Sequence, residues 1–359
     1  MPPTTTTGRY GGGGALSVSL TDQLARGPVV CAEGYLFELE RRGYLQAGAF
    51  VPEVVLDHPE RVTALHEEFV HAGSDVVEAF TYYAHREKLR HIGKEHLLEP
   101  LNRQALAIAS RVAADTGTLL AGDVCNTNIF DPADPASAGH VRGMFTEQVG
   151  WAAETGVDFV IGETFGFLDE ALIALEVIRE AGLPAVITLN LHDVPATRDG
   201  IALPEAMRRL ADGGAAVVGL NCGRGPATML PLLADLVAAV DVPVAALPVP
   251  YRTDAEHPHF QGLVDPAYPL PSGRPFPTAL DPFTCNRYEI ADFTIAAADA
   301  GVRYLGLCCG AAPHHVRAMA EALGRTPPAS RYTEDMSRHV YFGTDPALAR
   351  HNLEYGRSI

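Results

Sequence analysis

Two rhythms of apolar and polar residues alternate along the chain, and the switch between them recurs. Amphipathic stretches with helical spacing end in a small residue plus glycine. A short apolar run rich in β-branched residues follows: "HAGSDVVEAF", "DTGTLLAGDV", "ETGVDFVIGETF", "EAGLPAVITLNL", "DGGAAVVGLNC" and "DAGVRYLGLCC". Glycine just past a helix end takes the left-handed conformation at little cost, and the apolar run after it reads as a strand buried on both faces. Each unit is the helix-to-strand turn of a parallel sheet. Adding "PVVCAEGYLF" and "VPVAALPVP" brings the strands to eight, and the intervening periodicity predicts helices over 53–72, 99–116, 168–181 and 226–240. Eight such units favour a closed (β/α)8 TIM barrel, a mixed α/β fold, over an open sheet. In such barrels the chemistry sits at the C-terminal ends of the strands. Residues 1–17 lack a basic region followed by an apolar core and read as a disordered leader. The barrel is expected over 18–326, with a C-terminal extension over 327–359.

Composition narrows the partners. The chain has 359 residues, 47% hydrophobic and 20% charged, with a formal net charge of -17. That charge argues against nucleic acid or an anionic membrane surface as the partner and favours a small-molecule substrate. No apolar run reaches the ~18 residues of a membrane span. With no export signal apparent, a cytoplasmic location is expected, where cysteines are more often catalytic, metal-binding or buried than paired in disulfides.

Six cysteines occur, and three of them fall at predicted strand ends: Cys222 after the sixth strand, Cys308 and Cys309 after the eighth. These tips share one mouth of a barrel, so three thiols can converge there. Zinc is commonly held by three protein ligands with a fourth position open, and thiolates suit it. The competing reading is that they are buried small hydrophobes. Cys31, Cys125 and Cys285 lack such partners and read as structural. A zinc ion with three thiolate ligands is a poor Lewis acid toward water but keeps an incoming thiol deprotonated and electron-rich. That chemistry favours alkyl transfer to sulfur over hydrolysis.

"GLNC" at 219–222 and "GLCCG" at 306–310 resemble the zinc signatures of the homocysteine S-methyltransferase family, and longer stretches around 37–89 and 286–323 resemble its betaine branch. The resemblance covers roughly residues 29–332. It implies methyl transfer from an onium donor to zinc-bound homocysteine, giving methionine, with Cys222, Cys308 and Cys309 as zinc ligands. It also implies that Glu163 in "VIGETFG" holds the homocysteine amino group and that Gly34 allows close backbone approach to it. Family members carry an aspartate at the end of the first strand, where this chain has Ala32 followed by Glu33. Two readings stand: Glu33 supplies the missing carboxylate, or it points into solvent.

For the donor, the resemblance implies three aromatic faces, whereas this chain offers Phe50, Tyr83 and Thr164. By strand alternation, Tyr82 and Phe165 are expected to face the other way. The space at Thr164 leaves open a bulkier betaine or a sulfonium donor, either S-methylmethionine or dimethylsulfoniopropionate. Residues 251–285 form a long loop expected over the active face. His314 and His315 read as surface residues at a helix start. The tail resembles the beginning of the family's oligomerisation arm, implying a homodimer or homotetramer. A different thiol acceptor, or a non-catalytic redox-sensing zinc barrel, are the alternatives.

Overall fold

The computed structural model describes residues 18–267 and 273–359; the proposed leader lies outside the described residues. Eight strands form a closed parallel barrel in sequence order: β1 (Val29–Ala32), β2 (Val76–Glu78), β3 (Leu119–Cys125), β4 (Phe159–Phe165), β5 (Ala185–Leu189), β6 (Val217–Asn221), β7 (Val244–Leu247) and β8 (Tyr304–Leu307). β1 closes the ring on β8, with Cys31 opposite Gly306 and Ala32 opposite Leu307. All eight expected strands are present, because every residue in them is buried and the glycines before them turn the chain. Gly73 and Gly117, for example, take φ of 117° and 72° as they end their helices.

The helices follow the periodicity with one difference. The stretch expected as one helix over 53–72 is two, Val54–Asp57 and Pro59–Ala72. Pro59 has no N–H to donate and forces His58 out of helical geometry, to φ -143° and ψ 59°. No described helix is long and apolar enough to cross a membrane.

Inside the barrel, every second residue of each strand points inward. The lower layers are apolar, drawn from Val29, Cys31, Val76, Ala121, Ile161, Val186 and Tyr304, and the helix Leu20–Arg26 packs Leu20 and Leu24 into the same cluster. One step further toward the C-terminal ends the inward positions change character, to Glu33, Glu78, Asp123, Glu163, Thr188, Asn221 and Cys308, all buried. The upper floor of the barrel is therefore polar and acidic.

Two strand glycines, Gly219 and Gly306, lie under this floor, each pressed against the backbone of a neighbouring strand. A Cβ at Gly306 would lie 2.2 Å from the Cys31 carbonyl oxygen and 2.5 Å from Leu247 Cδ2. Gly306→Ala is thus expected to lower unfolding stability by about 3 kcal/mol, the upper end of an overpacking penalty. Urea denaturation of the variant checks this.

Beyond the helix Pro313–Ala322 the chain runs through two short 3-10 turns to the helix Arg350–Gly356, leaving Tyr332, Phe342 and Tyr355 exposed. His315 corrects the expectation of a surface residue. It is buried, its Nδ1 accepting from the Ala312 amide at 3.2 Å and its Nε2 lying 3.0 Å from the Cys285 carbonyl, so it caps its own helix from within. His314 is exposed as expected.

Candidate active site

Cys222 follows the last residue of β6, and Cys308 and Cys309 follow β8 directly. Backbone bonds to the end of the intervening β7 hold both tips: Cys222 N–H donates to the Leu247 carbonyl at 2.9 Å, and Cys308 N–H to the Pro248 carbonyl at 3.0 Å. The three Sγ atoms lie within 4.8 Å of one another, and Cys308 Sγ is 3.9 Å from Cys309 Sγ. Ligands on 2.3 Å tetrahedral metal–sulfur bonds sit about 3.8 Å apart, so the cluster fits a soft tetrahedral ion. Hydrogen bonds from Cys308 and Cys309 favour the Cys222 thiolate and pull its pKa down, while the thiols that donate to it are pushed up. All six cysteines are free thiols, and the other three are buried away from this cluster.

Against the thiols lies a nest of carboxylates. Glu163 on β4 is 3% exposed and is gripped by two neighbours. Thr164 Oγ1 donates to its Oε2 at 2.9 Å, and the Asn221 side-chain amide donates to the same oxygen. Asn221 also accepts from the Thr164 amide at 2.9 Å and reaches Cys308 Sγ at 3.8 Å. One amide thus couples the carboxylate to the thiol cluster. Burial pushes Glu163 up to about 8 despite these bonds.

Glu33 is buried, which overturns the solvent-pointing reading. Neither of its oxygens has a hydrogen-bond partner among the described residues, and the same holds for Glu78 Oε1 and Asp123 Oδ1. Burial first, then mutual repulsion, raises the pKa of Glu33, Glu78 and Asp123. Unpaired oxygens converging here suit a cationic group such as an ammonium. Gly34 is where the chain passes under Ala311, whose carbonyl would sit 2.5 Å from an added Cβ.

Above the thiols opens a cavity of about 610 Å³, bordered by Cys222 and Cys309. Phe50, Tyr83 and Thr164 all line it. Tyr82 lines it too, correcting the expectation that it faces away. β2 ends at Glu78, so Tyr82 sits in a turn where strand alternation no longer applies, its ring 4.3 Å from that of Tyr83. Phe165 behaves as expected and packs into the core on Phe145. Lys88 Nζ covers one face of Tyr83 at 3.8 Å. From the 251–285 loop come Phe260, Gln261 and Phe276.

Among the described residues, five other than glycine have left-handed backbone: Phe50, Tyr83, Asn128, Thr164 and Cys222, with φ between 55° and 63°. All five line this one cavity. Such strain, largest for β-branched Thr164, gathers where function holds side chains in place.

Asn221, Glu78 and Asp123 join the site without being singled out by the sequence pattern. Their signal was available in principle, as polar residues ending otherwise apolar strand runs, but it needs the strand register to be read. Asn221→Ala is expected to lower unfolding stability by about 1–3 kcal/mol, because it leaves the buried Glu163 with one donor fewer. Thermal and urea unfolding of the variant measure the loss.

Comparison with known proteins agrees with this geometry. The profile of the homocysteine S-methyltransferase family matches residues 29–323. Betaine–homocysteine S-methyltransferase 1 of Xenopus laevis is 38% identical over 315 residues, covering 85% of this chain and 75% of its own. S-methylmethionine–homocysteine S-methyltransferase BHMT2 of Rattus norvegicus is 34% identical over 363 residues, covering 97% and 94%. The fold matches the metallated homocysteine methyltransferase MmuM of Escherichia coli with a TM-score of 0.64 at 20% identity, over 83% of this chain and 97% of that one. With its barrel, its thiol cluster and a profile match across nearly the whole barrel, the chain belongs to the homocysteine S-methyltransferase family and is a methyltransferase.

Proposed function

We propose that the protein transfers a methyl group from an onium donor to homocysteine, giving methionine, with zinc held by Cys222, Cys308 and Cys309. The observation that carries this reading is the juxtaposition of three thiols within 4.8 Å of one another and a buried carboxylate nest at their side. One half suits a soft metal and the other an ammonium, and homocysteine bears a thiol and an ammonium in one small molecule. Cys222, Cys308 and Cys309 would hold the zinc, which would supply the Lewis acidity that keeps an incoming thiol deprotonated and nucleophilic.

The protein's own residues then do the positioning. Glu163, fixed by Thr164 and Asn221, takes the amino group, and Glu33 supplies the second carboxylate in place of the aspartate absent at Ala32. Gly34 lets the chain after Glu33 pass close under Ala311. Tyr82, Tyr83 and Phe50 present aromatic surface to the onium, worth ~0.5–2 kcal/mol per good contact. The homocysteine thiolate attacks the methyl carbon in line, the new S–C bond forms as the old bond to nitrogen breaks, and a neutral amine leaves. No side chain has to act as an acid or base, because the leaving group departs uncharged.

A betaine-type donor is the first choice. A sulfonium donor is the second, favoured by the S-methylmethionine-using relative matched over 97% of this chain and by the small Thr164 on the cavity wall. The arm over 327–359, with its exposed aromatics, serves oligomerisation in this reading, and the setting is cytoplasmic. Incubation of the zinc-loaded protein with homocysteine and glycine betaine, proline betaine, S-methylmethionine or dimethylsulfoniopropionate tests it by mass spectrometry. Methionine from one donor is expected. None from any donor, with zinc bound, would sink it in favour of another thiol acceptor.

A further inference from the structure

The cavity above the thiols is electrically lopsided. Its floor holds the thiol cluster and, beneath, four carboxylates, Glu33, Glu78, Asp123 and Glu163. Aromatic side chains form one wall. From the loop after β5, Arg198 and His192 also line the cavity. Burial holds His192 toward its neutral form, so Arg198 is the fixed positive charge there.

Arg198 is placed by its surroundings. Its amide donates to the Gly166 carbonyl at 2.8 Å, and the next residue, Asp199, accepts from the Leu168 amide at 3.1 Å. Its side chain lies across Gly166, where a Cβ would stand 2.7 Å from Arg198 Cδ. The guanidinium then rests on the Phe167 ring at 4.5 Å, and Phe167 is itself braced edge-on by Phe130. Yet the guanidinium has no hydrogen-bond or ion-pair partner among the described residues. The acid on the same wall, Glu170, is turned to Thr127, whose amide and hydroxyl donate to it at 2.8 and 2.6 Å. The other, Asp131, accepts from the Ala133 amide.

We infer that Arg198 is the donor-selecting residue: its guanidinium binds the carboxylate of the methyl donor, so the donor class is zwitterionic oniums rather than simple cationic ones. This rests on the methyl-transfer reading above. The onium end has to reach the thiol cluster, and the floor beneath it, lined by carboxyl groups, sulfurs and aromatic rings, offers an anion no cationic partner. A donor carboxylate is therefore driven outward to the rim, where a planar fork with free N–H groups waits. The aromatic stack holds the fork flat, so little side-chain entropy is lost when the carboxylate binds.

The test compares wild type with Arg198→Ala, Arg198→Lys and Arg198→Glu as zinc-loaded full chains. Glycine betaine and dimethylsulfoniopropionate serve as zwitterions, and trimethylsulfonium as an onium without a carboxylate. Arg198→Ala is expected to raise the KM for both zwitterions about 10- to 100-fold, the loss of a charge-assisted hydrogen-bonded contact. Arg198→Lys should recover part of that. The homocysteine KM, the zinc content and the constants for trimethylsulfonium should stay within twofold in Arg198→Ala, while Arg198→Glu should use trimethylsulfonium better than wild type. Unchanged zwitterion KM in Arg198→Ala would overturn the inference, and so would an equal loss for every ligand, which marks a structural role. If wild type makes no methionine from any donor, the methyl-transfer reading fails first, and calorimetric titration with glycine betaine decides Arg198 separately. Binding that Arg198→Ala abolishes would sustain it; absent or unchanged binding would end it.

Discussion

Cys222→Ala is expected to lose bound zinc and to lower methionine formation by about 10³-fold or more while leaving the barrel folded. Two effects multiply. A free thiol with a pKa near 8.5 is only a few per cent ionised at neutral pH, so losing the metal removes roughly a factor of 30 in thiolate. Losing the fixed position of the sulfur costs about a further 10²-fold. The fold should survive because Cys222 lies past the end of β6, its amide still bonded to the Leu247 carbonyl. Zinc content by atomic emission, circular dichroism and methionine formation measure the three parts separately. Full zinc retention in this variant would contradict the ligand assignment.

The second large effect is expected at Glu163. Glu163→Gln keeps the shape of the side chain and removes its charge, so the homocysteine ammonium is left facing a desolvated neutral amide. Breaking one half of a buried ion pair costs about 3–5 kcal/mol, which corresponds to roughly 10²- to 5 × 10³-fold in kcat/KM for homocysteine. The loss should fall on the acceptor, with donor KM and zinc content little changed. Acceptor and donor titrations of the variant separate these. A loss confined to the donor would move Glu163 out of the amino-group role.

Much of this site was legible in the chain, for physical reasons that also explain what was not. The eight strands and the positions of Cys222, Cys308, Cys309 and Glu163 follow from local signals: glycine after a helix, an apolar run, then a reactive residue at its end. Glu33 was ambiguous because the first strand ends at Ala32, and only packing decides which way the next residue turns; it turns inward and is buried. Strand alternation does not govern Tyr82, because the strand stops at Glu78. Asp123 and Glu78 look like interruptions of apolar runs, and their meeting beside Glu163 depends on the stagger of β2, β3 and β4 around the closed barrel. Arg198 lies nine residues beyond the end of β5, and nothing local says that its loop folds back over Gly166. A histidine that opens a helix reads as surface, yet at His315 that opening faces Cys285 in the interior.

The central claim is that a metal held by three cysteines makes homocysteine the methyl acceptor. The most direct test strips the protein with a chelator, restores zinc in steps, and follows methionine formed against donor consumed at each occupancy. The account predicts no turnover without metal, activity rising in proportion to zinc up to one ion per chain, and one methionine per donor consumed. Undiminished methionine formation in the metal-free protein would contradict it.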